Sequence, residues 1–358
     1  MANSEKMKIA AVAPAFPEHV YTQDQILDEM RRTWRPGDAL MARIERLMER
    51  VWVDRRHLSL PLERYGELSR FGIANDQWIE TATELGCRSV ADALELAGVE
   101  REDVGALFFV SVTGVSSPSV DARVVQRLGL PRHVKRNPIF GLGCVAGASG
   151  LVRAADYVRA FPRQAAVVLS VELCSLTFQQ GDLSIKNLIS SCLFADGAAA
   201  AVVVGAEHPR ADGPGPRVID TRAFLYPDTE DVMGWKVSER GFEIVLSAGV
   251  PDVVRSHVRG NVDEFLADHG LRLSDIGSWV AHPGGPKILE AMQESLGLTN
   301  GALEVTWTCL RDKGNLSSAS LLVVLAEAMR RARPDPGTHG LLLAMGPGFC
   351  SEMLLVRW

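Results

Sequence analysis

The chain has 358 residues, 47% of them hydrophobic, with 32 glycines and a formal net charge of −6. That length can bury a large core and exceeds what one simple domain needs. The acidic balance argues against nucleic acid or an anionic membrane surface as main partner. No apolar run reaches membrane-spanning length, and no basic segment followed by an apolar core opens the sequence, so the protein is expected in the cytoplasm without membrane insertion. Six cysteines stand at positions 87, 144, 174, 192, 309 and 350. None forms a CxxC pair or groups with histidines at metal-ligand spacing, so free thiols and no metal are expected.

In chain order, Met7 to Pro14 reads as a first strand, and Thr22 with Gln25 as a capping box for a helix through about Arg32. A second helical run, Asp38 to Val51, leads into Asp54-Arg55-Arg56-His57. Its arginines either hold phosphate or form a solvated basic helix end. Gln77 to Ala97 is helical by spacing, and Ala106 to Val112 is a continuous apolar strand of the kind buried on both faces. A loop through Ser117-Pro118, a helix to Leu130, a nucleophile-like turn around Cys144 and a helix to about Phe161 follow. Ala165 to Val171 and Ala198 to Val204 read as buried strands.

The segment 207–217, rich in Pro, Gly and charge, is the expected boundary between units 1–207 and 218–358. Behind it the pattern returns. A strand from Ser278 to Ala281 and a helix ending Leu296-Gly297-Leu298 echo the earlier strand and the helix ending Leu128-Gly129-Leu130. The closing stretch, Gly346 to Trp358, echoes Asp196 to Val204. Two related α/β halves with a site at their seam are therefore expected.

Cys144 lies in Gly143-Cys144-Val145-Ala146-Gly147, where small residues allow a sharp strand-to-helix turn. A helix N-terminus favours thiolate over thiol; the bland alternative is a buried cysteine acting as a small hydrophobe. His282, in His282-Pro283-Gly284-Gly285-Pro286, follows a buried strand, where α/β sheets form sites. Asn315 offers an amide before the helix Ala319 to Arg330. The histidines at 57, 133, 208, 257, 269 and 339 are expected at the surface. Separately, His282 reads as a structural histidine and Asn315 as a helix cap. Together with Cys144 they suit acyl transfer to a thiol and stabilisation of an enolate or oxyanion by neutral donors.

These motifs resemble the type III polyketide synthases, the chalcone and stilbene synthase family, and its bacterial branch in particular. The matches run in order through Gly143–Gly147, Leu193-Phe194-Ala195-Asp196-Gly197, Ala281–Pro286, Gly314-Asn315-Leu316-Ser317-Ser318 and Gly346-Pro347-Gly348. The resemblance implies a thiolase-type fold with layered αβαβα architecture, a homodimer, coenzyme A thioesters as substrates and no resident cofactor. It implies that Cys144 carries the starter and growing chain, and that His282 and Asn315 support decarboxylation of malonyl-CoA, His282 also keeping Cys144 as thiolate. Phe194 matches a gatekeeper between CoA tunnel and cavity, and Gly346, Pro347 and Gly348 match a loop that shapes cyclisation.

The cavity residues implied are Cys174, Leu176, Thr177, Ser117, Trp235 and Ile244. Ile244 falls where plant members keep a second phenylalanine, Trp235 where they keep a glycine, and Ser117 where they place a methionine that crosses the dimer interface. For coenzyme A, Arg50, Arg55, Arg56 and Lys287 are the basic candidates, with Asp54 in place of an expected lysine. The wording around Cys144 and 113–123 points to a long-chain acyl-CoA starter and an alkylpyrone or alkylresorcinol product. The alternatives are a tetrahydroxynaphthalene-type synthase using malonyl-CoA alone, and an initiating ketoacyl synthase working with acyl carrier protein.

Overall fold

The structure is a computed structural model that describes residues 7–34, 37–68, 70–179, 181–299 and 301–358. The first half runs β1 Lys8–Ala15, β2 His19–Thr22, α1 Gln23–Trp34, α2 Asp38–Arg50, β3 Arg55–Leu58, α3 Phe71–Ala97, β4 Val104–Val110, α4 Val120–Leu128, β5 Lys135–Ile139, α5 Ala146–Ala160, β6 Ala165–Leu173, α6 Ile185–Leu193 and β7 Asp196–Val204. The second runs β8 Arg217–Leu225, β9 Met233–Ser238, β10 Gly241–Leu246, α7 Val250–Ala267, β11 Ile276–Ala281, α8 Pro286–Leu296, α9 Glu304–Lys313, α10 Ala319–Arg331, β12 His339–Gly346 and β13 Cys350–Arg357.

Local chemistry explains several boundaries. Thr22 N donates to Gln25 Oε1 at 2.9 Å while Gln25 N donates to Thr22 Oγ1 at 3.3 Å, closing the capping box in front of α1. Helices α4 and α8 both stop on a left-handed glycine, Gly129 and Gly297, and both return a bond five residues back, Leu130 N to Val125 O and Leu298 N to Gln293 O. The same punctuation closes the corresponding helix of each half.

Among the described residues the main sheet has the order β11-β12-β13-β8-β1-β7-β6-β4-β5. Strands β4 and β6 are parallel, β6 and β7 antiparallel, and β7 and β1 antiparallel. The second half repeats this with β11, β12, β13 and β8. The two sets meet where Lys8 of β1 pairs with Arg217 of β8.

Three apolar clusters give the layers. Helix α3 and part of α4 bury their apolar faces on one side of the first set of strands, through Trp78, Leu85 and Val124. Helix α7, with α8, covers the far side of the second set through Val254, Phe265 and Met292. Helices α5 and α10 lie between the sets, joining Leu151 and Val158 to Leu322 and Leu325 in one core with residues of both. A Cβ on Gly147 would fall 2.2 Å from Ser318 O, so only glycine lets α5 meet the start of α10 this closely.

Three departures from the sequence reading matter for the site. Helix α3 begins at Phe71, six residues earlier than its spacing predicts, because Phe71 packs edge-on against Phe242 at 5.5 Å. Residues 55–58 form a strand paired with β2, not a basic helix end. The ribbon β9–β10 lies outside the sequence reading altogether. Nor is His208 exposed: it is buried, its Nε2 3.4 Å from Asp103 Oδ2. His57 stacks on Phe16.

Candidate active site

Cys144 sits in a single 3₁₀ turn, Gly143–Val145, between the end of β5 and the start of α5. Gly143 has φ +57°, and a Cβ there would lie 2.5 Å from Pro347 Cδ. Glycine is needed on both counts, and Pro347 is thereby packed on the nucleophile turn. Cys144 Sγ lies 3.5 Å from Ser317 Oγ. Ser317 itself holds a left-handed backbone, φ +48°, a conformation that costs energy outside glycine and concentrates at functional sites.

A chain of hydrogen bonds ties the other two residues to that cysteine. Ser317 N donates to Asn315 Oδ1 at 2.8 Å, and Asn315 Nδ2 donates to Gly284 O at 3.3 Å. Gly284 N donates to His282 O, and His282 N to Leu343 O of β12, each at 2.9 Å. The loop after β11 and the loop before α10 are thus locked to one another beside the Cys144 turn. All three side chains are buried, and His282 Nδ1 has no protein partner.

Burial pushes the Cys144 thiol up to about 12, with Ser317 opposing and the buried Glu172 charge adding to the rise. It pushes the His282 imidazole down to about 4. Burial therefore favours a neutral thiol and a neutral imidazole in the resting site. Glu172 is itself raised to about 7 by burial. It accepts from Thr113 Oγ1 at 2.9 Å, Val112 N at 3.2 Å, Ser111 Oγ at 3.3 Å and from Ser318 Oγ.

A cavity opens behind Phe194, lined by it with Cys174, Thr177, Trp235, Ile244, Phe242 and residues of α1 and α6; Cys144, His282 and Asn315 are not part of its wall. Phe194 bridges to Asn315, with Asn315 N donating to Leu193 O at 3.0 Å and Ala195 N to Asn315 O at 2.9 Å. Trp235 and Ile244 are cross-strand partners of the β9–β10 ribbon, which is why they face one space.

Other expected cavity residues lie elsewhere. Cys174–Thr177 is a 3₁₀ turn, so positions 174 and 177 share a face while Leu176 turns into the core under α3. Ser117 is exposed and lines no part of the cavity within one chain. Gly346 and Pro347 border the Cys144 turn, Gly348 lies against Leu225, and none of the three is part of the cavity wall.

The basic candidates divide. Arg50 and Lys287 are exposed, at the end of α2 and the first turn of α8. Arg55 is exposed, 3.9 Å from Asp312. Arg56 is 2% exposed, because the alternation of β3 turns it inward, and it cannot serve as a surface phosphate ligand. The sequence reading missed Arg43 and Arg46, which precede Arg50 on the exposed face of α2 at spacings of seven and four; the signal was that periodicity.

Comparison with known proteins agrees with this geometry. The family model for chalcone and stilbene synthases, N-terminal domain, matches residues 1–208, and the C-terminal domain matches 218–358. The chain belongs to the chalcone and stilbene synthase family. It is 48% identical over 350 residues to a 1,3,6,8-tetrahydroxynaphthalene synthase of Streptomyces peucetius subsp. caesius, covering 98% of this chain and 93% of that protein. It is 33% identical to a 3,5-dihydroxyphenylacetyl-CoA synthase of Amycolatopsis balhimycina, covering 99% and 94%. The crystal structure of the 1,3,6,8-tetrahydroxynaphthalene synthase of Streptomyces coelicolor A3(2), a bacterial type III polyketide synthase, superposes with a TM-score of 0.92 at 30% identity, covering 98% and 99%.

This member of the chalcone and stilbene synthase family is accordingly a bacterial type III polyketide synthase, an acyl-transferring enzyme on a thiolase-type fold. Among its described residues no helix is long and apolar enough to cross a membrane.

Proposed function

We propose that this enzyme builds its polyketide from malonyl-CoA alone, priming and extending with the same substrate and closing the chain to a tetrahydroxynaphthalene-type product. The observation that carries this reading is the 48% identity to a 1,3,6,8-tetrahydroxynaphthalene synthase along nearly the whole chain. Trp235 and Phe242, 6.0 Å apart, wall the cavity with aromatics, and Thr177, Asn187, Ser190 and Ser191 add polar groups among Ile26, Met30, Leu58, Leu62 and Ile244. That lining is mostly apolar, so the reading rests on the relative and not on the cavity. The long-chain starter expected from the wording of 113–123 is set aside on that ground, and the ketoacyl synthase reading by the two family matches.

In this reading Cys144 takes the starter acyl group: its proton passes to neutral His282 as Sγ attacks the thioester, the bond to coenzyme A breaks, and His282 returns the proton to the departing thiolate and is neutral again. The extender's thioester carbonyl then sits against His282 and Asn315. Neutral donors there stabilise the enolate that forms when the C–CO₂ bond breaks and the electron pair stays on carbon. That carbon attacks the Cys144 thioester, and the lengthened chain, released from Sγ onto coenzyme A, returns to Cys144 for the next round. Phe194, bridged to Asn315, separates the entry from the cavity. Coenzyme A arrives with each substrate and no resident cofactor is required.

Arg43, Arg46 and Arg50 on α2, with Lys287, present positive charge for its phosphates. The free thiols suit a reducing compartment such as the cytoplasm. Among the described residues the outer edge of β5 is unpaired, Phe140 directly after it is 54% exposed, and Val115, in the loop after β4, is 42% exposed; a second copy covering that edge gives a homodimer.

The test is a product mass spectrum from enzyme given malonyl-CoA, with and without a long-chain acyl-CoA. A product unaffected by the added acyl-CoA is expected. Masses that track the acyl chain overturn the reading.

A further inference from the structure

Arg56 is a buried cation that the chemistry above does not use. Its Nη1 donates to Ser191 O and Phe194 O, each at 2.7 Å. These carbonyls belong to the last turn and cap of α6, whose dipole places about half a negative charge there. The rest of the guanidinium is unmatched. Nε is buried without a partner, and Nη2 makes no hydrogen bond within the protein. Among the described residues no carboxylate stands within ion-pair distance of it. Asp196 lies close enough for its charge to act on Arg56, but it accepts instead from Ser59 N and Oγ and from Ser175 N and Oγ. A desolvated guanidinium without a full counter-charge is costly unless an anion completes it. Arg56 lines the cavity, beside Phe194, Ser190 and Ser191.

We propose that Arg56 receives the free carboxylate of a malonyl starter, the anion its unmatched donors lack. The inference rests on the malonyl-only reading and explains how one substrate meets two fates. Decarboxylation turns a carboxylate into neutral CO₂ and moves its electron pair to carbon, so a cation holding the carboxylate opposes it. A malonyl group paired with Arg56 keeps its carboxyl while it primes the enzyme. A malonyl group held at its thioester carbonyl by His282 and Asn315 loses it. The same contact selects the starter, because a neutral acyl group leaves the buried donors unpaired, and sites built around hydrogen bonds reject ligands that cannot make them.

The experiment follows the first turnover by acid quench and intact-protein mass, comparing malonyl-CoA with its neutral methyl ester in the wild type, Arg56→Gln and Arg56→Lys. The wild type is expected to form a Cys144 adduct that retains the carboxyl group, and to acylate about tenfold or more faster with malonyl-CoA than with the ester. Arg56→Gln is expected to bring the two rates together and yield an acetyl adduct; Arg56→Lys, which keeps the charge, is expected to restore most of the preference. Equal wild-type rates overturn the proposal, and that comparison stands even if Arg56→Gln does not fold. A preference that survives in folded Arg56→Gln also overturns it, and leaves Arg56 as an anchor of the Phe194 backbone. If the wild type makes no product from malonyl-CoA alone, the malonyl-only reading itself falls; if it does and the rates are unaffected by Arg56, only the starter subsite falls.

Discussion

Opposite shifts at Cys144 and His282, up to about 12 and down to about 4, keep the resting centre uncharged and give it a pH signature. His282 unfolded takes a proton near its ordinary 6.5, while the fold resists protonation until about 4. The unfolded chain therefore binds more protons across that window, and stability rises with pH from 4 to 6.5. Glu172, raised to about 7, acts in the opposite sense, its contribution being lost as pH rises from 4.5 through 7. His282→Gln isolates the first effect: the loss of stability between pH 6.5 and pH 4, measured by urea midpoints, should shrink by about 3 kcal/mol.

Cys144→Ala should lower product formation by on the order of 10³-fold or more while costing no more than about 1 kcal/mol of stability. Undiminished elongation would remove Cys144 from its role. Cys144, His282 and Asn315 stand out in the sequence because each is a polar or reactive type in a small-residue turn beside a buried run. The left-handed Ser317 does not, since a serine between Leu316 and Ser318 carries no mark of its backbone.

Among the elements, those buried on both faces were the easiest to read: β4, β6 and β7 are buried from end to end and apolar but for Ser170, Glu172 and Asp196. Ribbon β9–β10 escaped, because its strands are short, half-exposed and interrupted by Lys236 and Glu243. Residues 55–58 were misplaced because a four-residue strand after a helix has too few positions to show its alternation, and that alternation alone decides that Arg55 faces water and Arg56 the cavity.

The ribbon's contribution can be tested. Trp235→Gly removes the indole opposite Ile244 and should raise the ratio of hexanoyl-primed to malonyl-only product about tenfold, read by product mass. An unchanged ratio would place the limit on starter size in another element.

On the scale of the whole molecule, the recurrence of strand order in the two halves was visible as a faint sequence echo, and the αβαβα layering came with the family resemblance. The association of two copies lies further from the sequence. Phe140 and Val115 read as ordinary apolar residues until the fold exposes both, Phe140 at the end of the open edge strand β5 and Val115 in the loop after β4. Replacing both with aspartate should shift the protein from dimer to monomer by light scattering. A dimer that persists would move the interface to another face.

The seam between β1 and β8 has a consequence for biosynthesis. Strand β1, ahead of every other described strand in the chain, lies in the middle of the finished sheet, pairing along its length with β7, nearly two hundred residues later, and touching β8 beyond it. Neither neighbour exists while the intervening helices are being made. The nascent N-terminal half must therefore wait, with β1 unpaired, until β7 has emerged. Pairings so distant in sequence are slow to form and leave apolar strand edges open to other chains. Slowing translation some tens of residues beyond Val204, once β7 has cleared the ribosome, should raise the soluble yield of this enzyme.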